Sequence, residues 1–255
     1  MPFTIVQITD PHLGARFSDD PGAALAAAVA TIAGTLSASP DAVVVSGDIA
    51  STPTDAEYAE ARALLDGIGA PLYVLPGNHD DPHGLRRHFA LPQGDAGSVS
   101  YAVWLGDARL IALDSTRPGS DSGRLDPARL QWLDRTLGED ADTPTLLAMH
   151  HPPITTGMPA MDAIGIPEDE RVALADILDR HRQVQLITSG HVHRAIVGAI
   201  AGTRVLAIPS TDVQLGLDLE ASELRFVREP PCIAIHLILQ GRIVSHIQPV
   251  VTGVR

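Results

Sequence analysis

The sequence predicts an α/β fold: one domain of two β-sheets with helices packed outside them. Three observations predict it. Residues 1–75 alternate short apolar runs with helix-patterned segments, in the order β-α-β-α-β. Antiparallel hairpin signals follow, at Gly106-Asp107 and again at Gln240-Gly241. No linker-like stretch interrupts the 255 residues, a length that suits a single domain with a large core.

Each element has a local reason. Phe3–Thr9 reads as a buried strand. Ala23–Leu36 is alanine-rich and helical, opened by Asp19-Asp20-Pro21 with proline near the first helical position. Asp41–Ser46 is short and β-branched and ends at Gly47. Thr54–Ile68 is a helix with Thr54 as N-cap and Glu57 three residues on. Pro71–Leu75 is the next strand, and strands separated by helices imply parallel pairing. Ser98–Trp104 and Arg109–Leu113 form the first hairpin. Pro127–Leu137 and Glu168–Leu178 are helices. Thr145–Met149, Gln185–Thr188, Ile196–Ala199 and Arg204–Ile208 are strands. Ile233–Leu239 and Ile243–Val250 form the closing hairpin. The whole chain, 1–255, reads as one domain, with 209–255 a variable C-terminal lid or dimerisation segment.

Composition removes several chemistries. All 18 basic residues are arginine. Without lysine there is no Walker A phosphate loop, no Schiff base and no Ser–Lys dyad. One cysteine, Cys232, excludes an internal disulfide and any cysteine-held zinc or iron–sulfur cluster. A net charge of −13 opposes binding to a nucleic-acid polymer. No apolar run reaches the roughly 18 residues of a membrane span, and Met1–Val6 lacks the basic start of a signal peptide. A cytoplasmic protein is expected.

The histidines carry the information. Five predicted strands end in polar clusters: Asp10-Pro11-His12, Gly47-Asp48, Gly77-Asn78-His79-Asp80, His150-His151-Pro152-Pro153 and Gly190-His191-Val192-His193. Singly, several of these are ordinary turns. Together they would converge beyond the carboxyl ends of strands, where open α/β sheets place their sites. Asp10, His12, Asp48, Asn78, His150, His191 and His193 offer oxygen and imidazole donors with no sulfur. That set suits Mn²⁺ or Fe, with Zn²⁺ or Co²⁺ as further options. Its size suits two ions sharing a carboxylate, about 3.5–4 Å apart, which clamp a displacement at phosphorus. The Asp-x-His and His-x-His spacings place both side chains on one side of an extended segment.

This series of motifs resembles the calcineurin-like metallophosphoesterase superfamily over most of the chain, from Phe3 to about Ile208. The resemblance implies a four-layer αββα sandwich of two mixed sheets flanked by helices. It implies that Asp10, His12 and His193 bind one metal, that Asn78, His150 and His191 bind the other, and that Asp48 bridges. His150 rather than His151 is taken as the ligand by the same similarity. His79 corresponds to the non-ligand histidine that steadies the phosphate or protonates the leaving oxygen, and Asp80 is placed to orient it. Ile49-Ala50-Ser51 replaces the Asp-Arg-Gly of Ser/Thr protein phosphatases. Leu113-Asp114-Ser115, Gly123-Arg124-Leu125 and Gln131-Trp132-Leu133 look like the class III cyclic-nucleotide phosphodiesterase and glycerophosphodiesterase-like group.

The implied function is hydrolysis of a small phosphodiester by a hydroxide shared between two ions. The first choice of substrate is a 3′,5′-cyclic nucleotide (cAMP or cGMP), cleaved to the monophosphate. A glycerophosphodiester or broad-specificity enzyme is the alternative. A catalytically silent interaction scaffold on the same fold is the reading from another class, and the full donor set opposes it. Specificity is expected from Ser115–Asp126, Ile154–Pro167 and Ser210–Pro230. Met158 and Met161 are candidates for an apolar wall, Arg194 is expected to be solvated, and a homodimer or larger homo-oligomer is expected.

Overall fold

The computed structural model describes residues 2–95 and 97–251 of the chain. Two mixed sheets lie face to face. The first contains β1 (Phe3–Ile8), β2 (Ala42–Ser46), β3 (Leu72–Leu75), β12 (Cys232–Leu239) and β13 (Arg242–Pro249), in the order β13-β12-β1-β2-β3. The second contains β4 (Tyr101–Leu105), β5 (Ala108–Ala112), β6 (Thr145–Ala148), β7 (Val184–Ser189), β8 (Ile196–Ile200) and β9 (Thr203–Ala207), in the order β4-β5-β6-β7-β9-β8. Strands β1, β2 and β3 run parallel, as do β5, β6, β7 and β9.

Period-two alternation builds the layers. Ile5, Ala42, Val44, Leu110, Leu146, Leu186 and Leu206 fill the space between the sheets. Their chain neighbours Val6, Val43 and Val45 turn outward onto α1 (Pro21–Thr35), α2 (Asp55–Asp66) and α3 (Pro82–His88). Ile111, Leu147, Ile187 and Val205 turn outward onto α4 (Pro127–Gly138) and α6 (Glu168–Arg180). The result is the expected αββα sandwich.

Local signals act as read. Asp20 caps α1 ahead of Pro21, and Thr54 with Glu57 forms a full capping box on α2. Helix α3 is an addition to the predicted elements. Asp81 caps it and Pro82 opens it, the same Asp-Pro device that starts α1 and α4. The single turn α5 (Pro159–Asp162) and a small two-stranded ribbon, β10 (Gln214–Leu215) with β11 (Phe226–Val227), are also additions.

The closing hairpin has a different place from the one expected of a lid. Strand β12 pairs antiparallel with β1 from Phe3↔Ile238 to Gln7↔Ala234, so the hairpin completes the first sheet. What projects outside the sheets is the segment 210–230, including the β10–β11 ribbon. Residues 252–255 of the expected C-terminal segment lie outside the described residues.

Candidate metal centre

The polar clusters follow β1, β2, β3, β6 and β7, and the sandwich brings all five together. Asp10, His12, Asp48 and Asn78 come from the first sheet; His150, His191 and His193 come from the second. Within this group Asp10, His12, Asp48, His150, His191 and His193 are buried, and Asn78 and His79 are partly exposed.

Their polar atoms face one another in two lobes. In one, His12 Nε2 lies 3.2 Å from His193 Nε2, and His193 Nε2 lies 3.5 Å from Asp10 Oδ1. In the other, Asn78 Oδ1 lies 3.1 Å from His150 Nε2 and 3.0 Å from His191 Nδ1. Asp48 Oδ2 touches both lobes, 3.5 Å from His12 Nε2 and 3.4 Å from His150 Nε2. Its other oxygen accepts from the His79 amide at 2.9 Å. The geometry therefore leaves Asp48 one oxygen to share.

The backbone around these side chains is strained. Asp10, His12, Asp48, His191 and His193 all have left-handed φ, between 45° and 67°. Non-glycine residues there cost about 1 kcal/mol or more each and persist only when the surroundings enforce them. Here backbone bonds do so: Asp10 N–H donates to Gly47 O and His12 N–H to Asp48 O. This corrects the extended geometry expected for Asp-x-His and His-x-His. The chain leaves each strand in tight turns, and the turns aim the side chains. Two glycines make this possible. Gly47 has a φ of 99°, and a side chain at Gly190 would collide with Thr9 Oγ1 and Asp10 Oδ2.

Burial alone would push the Asp10 and Asp48 carboxyls up. The facing rings of His193 and His150, on Asp10, and of His150 and His12, on Asp48, hold both below the usual range. Burial alone would push the His150 and His193 rings down, but Asp48 raises His150 to about 9 and Asp10 raises His193. Burial dominates at His12, held at about 4, and at His191, held well below its ordinary value. Two buried carboxylates and inward-facing imidazole nitrogens thus draw positive charge into the cluster. Facing nitrogens such as His12 Nε2 and His193 Nε2, 3.2 Å apart, can share a proton between them or both turn their lone pairs to a cation. The donor set fits two divalent ions.

Carbonyls aim the rings. His150 Nδ1 donates to Ser46 O at 2.8 Å and His193 Nδ1 to Val213 O at 2.6 Å, leaving each Nε2 facing inward. His79 Nδ1 lies 3.3 Å from Ser51 O. His151 uses both nitrogens outside the cluster, Nδ1 with Ser115 Oγ at 2.9 Å and Nε2 with Asp121 O at 3.1 Å.

Two further expectations change. Among the described residues the Asp80 carboxylate makes no hydrogen bond to the His79 ring. It accepts from the amides of Ile49, Ala50 and Gly77 and from the Tyr58 hydroxyl, so it pins the β2 and β3 turns. Arg194 is not free in solvent. It donates to Leu215 O and to the Glu229 carboxylate, tying the β10–β11 ribbon to the ligand loop.

A cavity of about 100 Å³ opens over the cluster. Beyond the metal-type residues and His79, one acidic residue, Asp121, and the apolar Phe17, Met161, Ile164, Leu215, Leu224 and Phe226 line it. Phe17 and Phe226 stack at 4.3 Å, and Phe17 also meets the His12 ring edge-on. A larger cavity, about 840 Å³, lies on the other side of this pair. Met158 packs beneath, with Val192 and Ala207. Neither phenylalanine carries a signal in the sequence, since each is the lone aromatic of a segment rich in charged residues.

Comparison with known proteins agrees with this architecture. The family model for calcineurin-like phosphoesterases matches residues 3–195. A probable cyclic nucleotide phosphodiesterase of Synechococcus sp. is 37% identical over 84% of this chain and 82% of its own. A probable glycerophosphodiester phosphodiesterase of Arcobacter nitrofigilis is 34% identical over 77% and 73%. A dimetal phosphatase from Danio rerio superposes with a TM-score of 0.72 over 98% of both chains, at 16% identity, a likeness of fold. With its sandwich, its convergent donor set and these relatives, the chain belongs to the calcineurin-like phosphoesterase family and is a phosphodiester hydrolase; the family implies a dinuclear metal centre, and this donor set offers candidate ligands for one.

Proposed function

We propose that this hydrolase cleaves 3′,5′-cyclic nucleotides to nucleoside monophosphates. The observation that carries the reading is the apolar, aromatic wall of Phe17, Phe226, Leu215, Leu224 and Met161 over the donor cluster. The small cavity takes the phosphate. A flat nucleobase then meets the Phe17–Phe226 pair, a contact a glycerol group cannot use. The named cyclic-nucleotide relative supports the same reading.

In this proposal Asp10, His12 and His193 hold one ion, and Asn78, His150 and His191 the other. Asp48, which faces both lobes, would be shared between them. Mn²⁺ or Fe suits the nitrogen–oxygen set best, with Zn²⁺ and Co²⁺ as alternatives. Two such ions supply charge against the phosphate oxygens and a water acidic enough to attack phosphorus. His79, anchored by Nδ1–H on Ser51 O, donates a proton from Nε2 to the leaving ribose oxygen as the P–O bond breaks. Water's oxygen and one of its hydrogens end on phosphorus, and its other proton returns to His79 in place of the one given to the new ribose hydroxyl. The proposal includes a cytoplasmic enzyme acting as a homodimer or larger homo-oligomer, with the part of 209–255 outside the closing hairpin as lid or contact segment.

A second reading, glycerophosphodiester hydrolysis, rests on the Arcobacter relative. A panel of cyclic AMP, cyclic GMP, 2′,3′-cyclic nucleotides and glycerophosphodiesters on Mn²⁺-loaded protein separates them. The expected result is the highest kcat/KM on a 3′,5′-cyclic nucleotide. A glycerophosphodiester at the top of the ranking would replace the first reading with the second.

A further inference from the structure

The layer between the sheets is mainly aliphatic, but a polar thread crosses it directly below the donor cluster. Gln7 of β1, three residues before Asp10, points into this layer and is fully buried. Its Nε2 donates to Ser46 Oγ at 2.7 Å and reaches Ser189 O at 3.5 Å. Its Oε1 accepts from Thr188 Oγ1 and from His236 Nε2, the latter at 3.1 Å. His236 Nδ1 accepts from Ser245 Oγ at 2.7 Å. Burial keeps the His236 ring neutral, so its single N–H serves Gln7. One amide thus engages every donor and acceptor it has.

Its partners are not scattered. Ser46 is the last residue of β2, two before Asp48, and its carbonyl holds His150 Nδ1. Thr188 and Ser189 close β7, and Ser189 stands two before His191. Gln7 and Ser46 belong to the first sheet; Thr188 and Ser189 belong to the second. The donor cluster is split across the same seam. A slide of one sheet over the other would part His12 from His193 and Asn78 from His150 and His191. Aliphatic contacts are non-directional and resist such a slide weakly. A saturated buried amide is directional.

We propose that Gln7, with Thr188 and His236, is a positioning residue that fixes the register between the two sheets and thereby the spacing of the two halves of the metal centre. The inference rests on the metal assignment above. Loss of buried hydrogen bonds lowers stability whatever the role, so the test reads the ions themselves.

Mn²⁺ titration followed by electron paramagnetic resonance gives both the number of bound ions and the exchange signal of a close pair. Gln7→Met is similar in volume and removes every bond of the amide. Thr188→Val removes only the hydroxyl that crosses the seam. His236→Gln keeps an amide N–H for Gln7. The wild type should bind two ions and show the pair signal. Gln7→Met and Thr188→Val should bind the second ion about 10- to 100-fold more weakly, alter the pair signal, and lose kcat with little change in KM. His236→Gln should behave as wild type. If Gln7→Met does not fold, Thr188→Val decides alone. Lowered melting temperature with an unchanged pair signal and wild-type Mn²⁺ affinity would overturn the proposal in favour of a purely structural role. A wild type that fails to bind two ions would overturn the metal assignment first, and is a distinct result.

Discussion

His79 differs from the cluster histidines in exposure: it is partly exposed, while His12, His150, His191 and His193 are buried. Its ring still has a donor atom within 4.8 Å of those of His12 and Asp48, so metal content is what tells a proton donor from a ligand. His79→Ala should retain two ions by elemental analysis yet lose about 10²- to 10⁴-fold in kcat, the usual worth of a general acid. Asp48→Ala should instead bind fewer than two ions, because it removes the oxygen that touches both lobes. Equal metal loss in both variants would make His79 a ligand. The donor residues are legible in sequence because few side chains bind such ions and each follows an apolar run. The carbonyls of Ser46, Ser51 and Val213 that aim the rings are not legible, since every residue has a carbonyl. Asp80 misleads for a related reason. It adjoins His79 in the chain, but its carboxylate turns back to the amides of Ile49 and Ala50.

Among the elements, helices with caps and long strands are readable locally. Helix α3 hides behind the motif that precedes it, although Asp81-Pro82 announces it as clearly as Asp20-Pro21 announces α1. The β10–β11 ribbon has two residues per strand, too few for alternation to show. Yet this ribbon brings Phe226 onto Phe17, and Arg194 fastens it to the His193 loop. Phe226 is exposed enough that its loss leaves the core intact. Phe226→Ala should lower kcat/KM for a 3′,5′-cyclic nucleotide about tenfold, within the range for stacking a base on an aromatic ring. Glycerophosphodiester turnover should change little. Equal losses on both substrates would remove the ribbon from base recognition.

Over the whole molecule, the sandwich is legible as a class, but its pairing is not. Nothing near Phe3 or Ile238 says that they will be neighbours, because register across such a separation is set by which faces are buried. The net charge of −13 likewise says little about the site, where two bound divalent ions would outweigh the carboxylates of Asp10 and Asp48. Stability should also depend on pH through the seam. Burial holds the His236 ring at about 4, below its ordinary 6.5. Between these values the unfolded chain takes a proton that the folded chain refuses. The contribution of the neutral ring is therefore complete above pH 6.5 and is lost as pH falls toward 4. At about 1.4 kcal/mol per pKa unit it amounts to roughly 3 kcal/mol. His236→Gln should show a correspondingly shallower fall in unfolding free energy over that window in denaturant titrations. A slope equal to the wild type would remove His236 from the acid sensitivity.

The antiparallel pairing of β1 with β12 also sets a condition on biosynthesis. Strand β1 carries the turn of Asp10 and His12, and it lies between β2 and β12 in the finished sheet. As the chain leaves the ribosome, β2 can dock within the first fifty residues, but the opposite edge of β1 stays bare until Cys232–Leu239 has been made. A nascent or prematurely terminated chain thus exposes an unpaired strand edge to chaperones and proteases. It acquires its finished first sheet only after Arg242–Pro249 has been made.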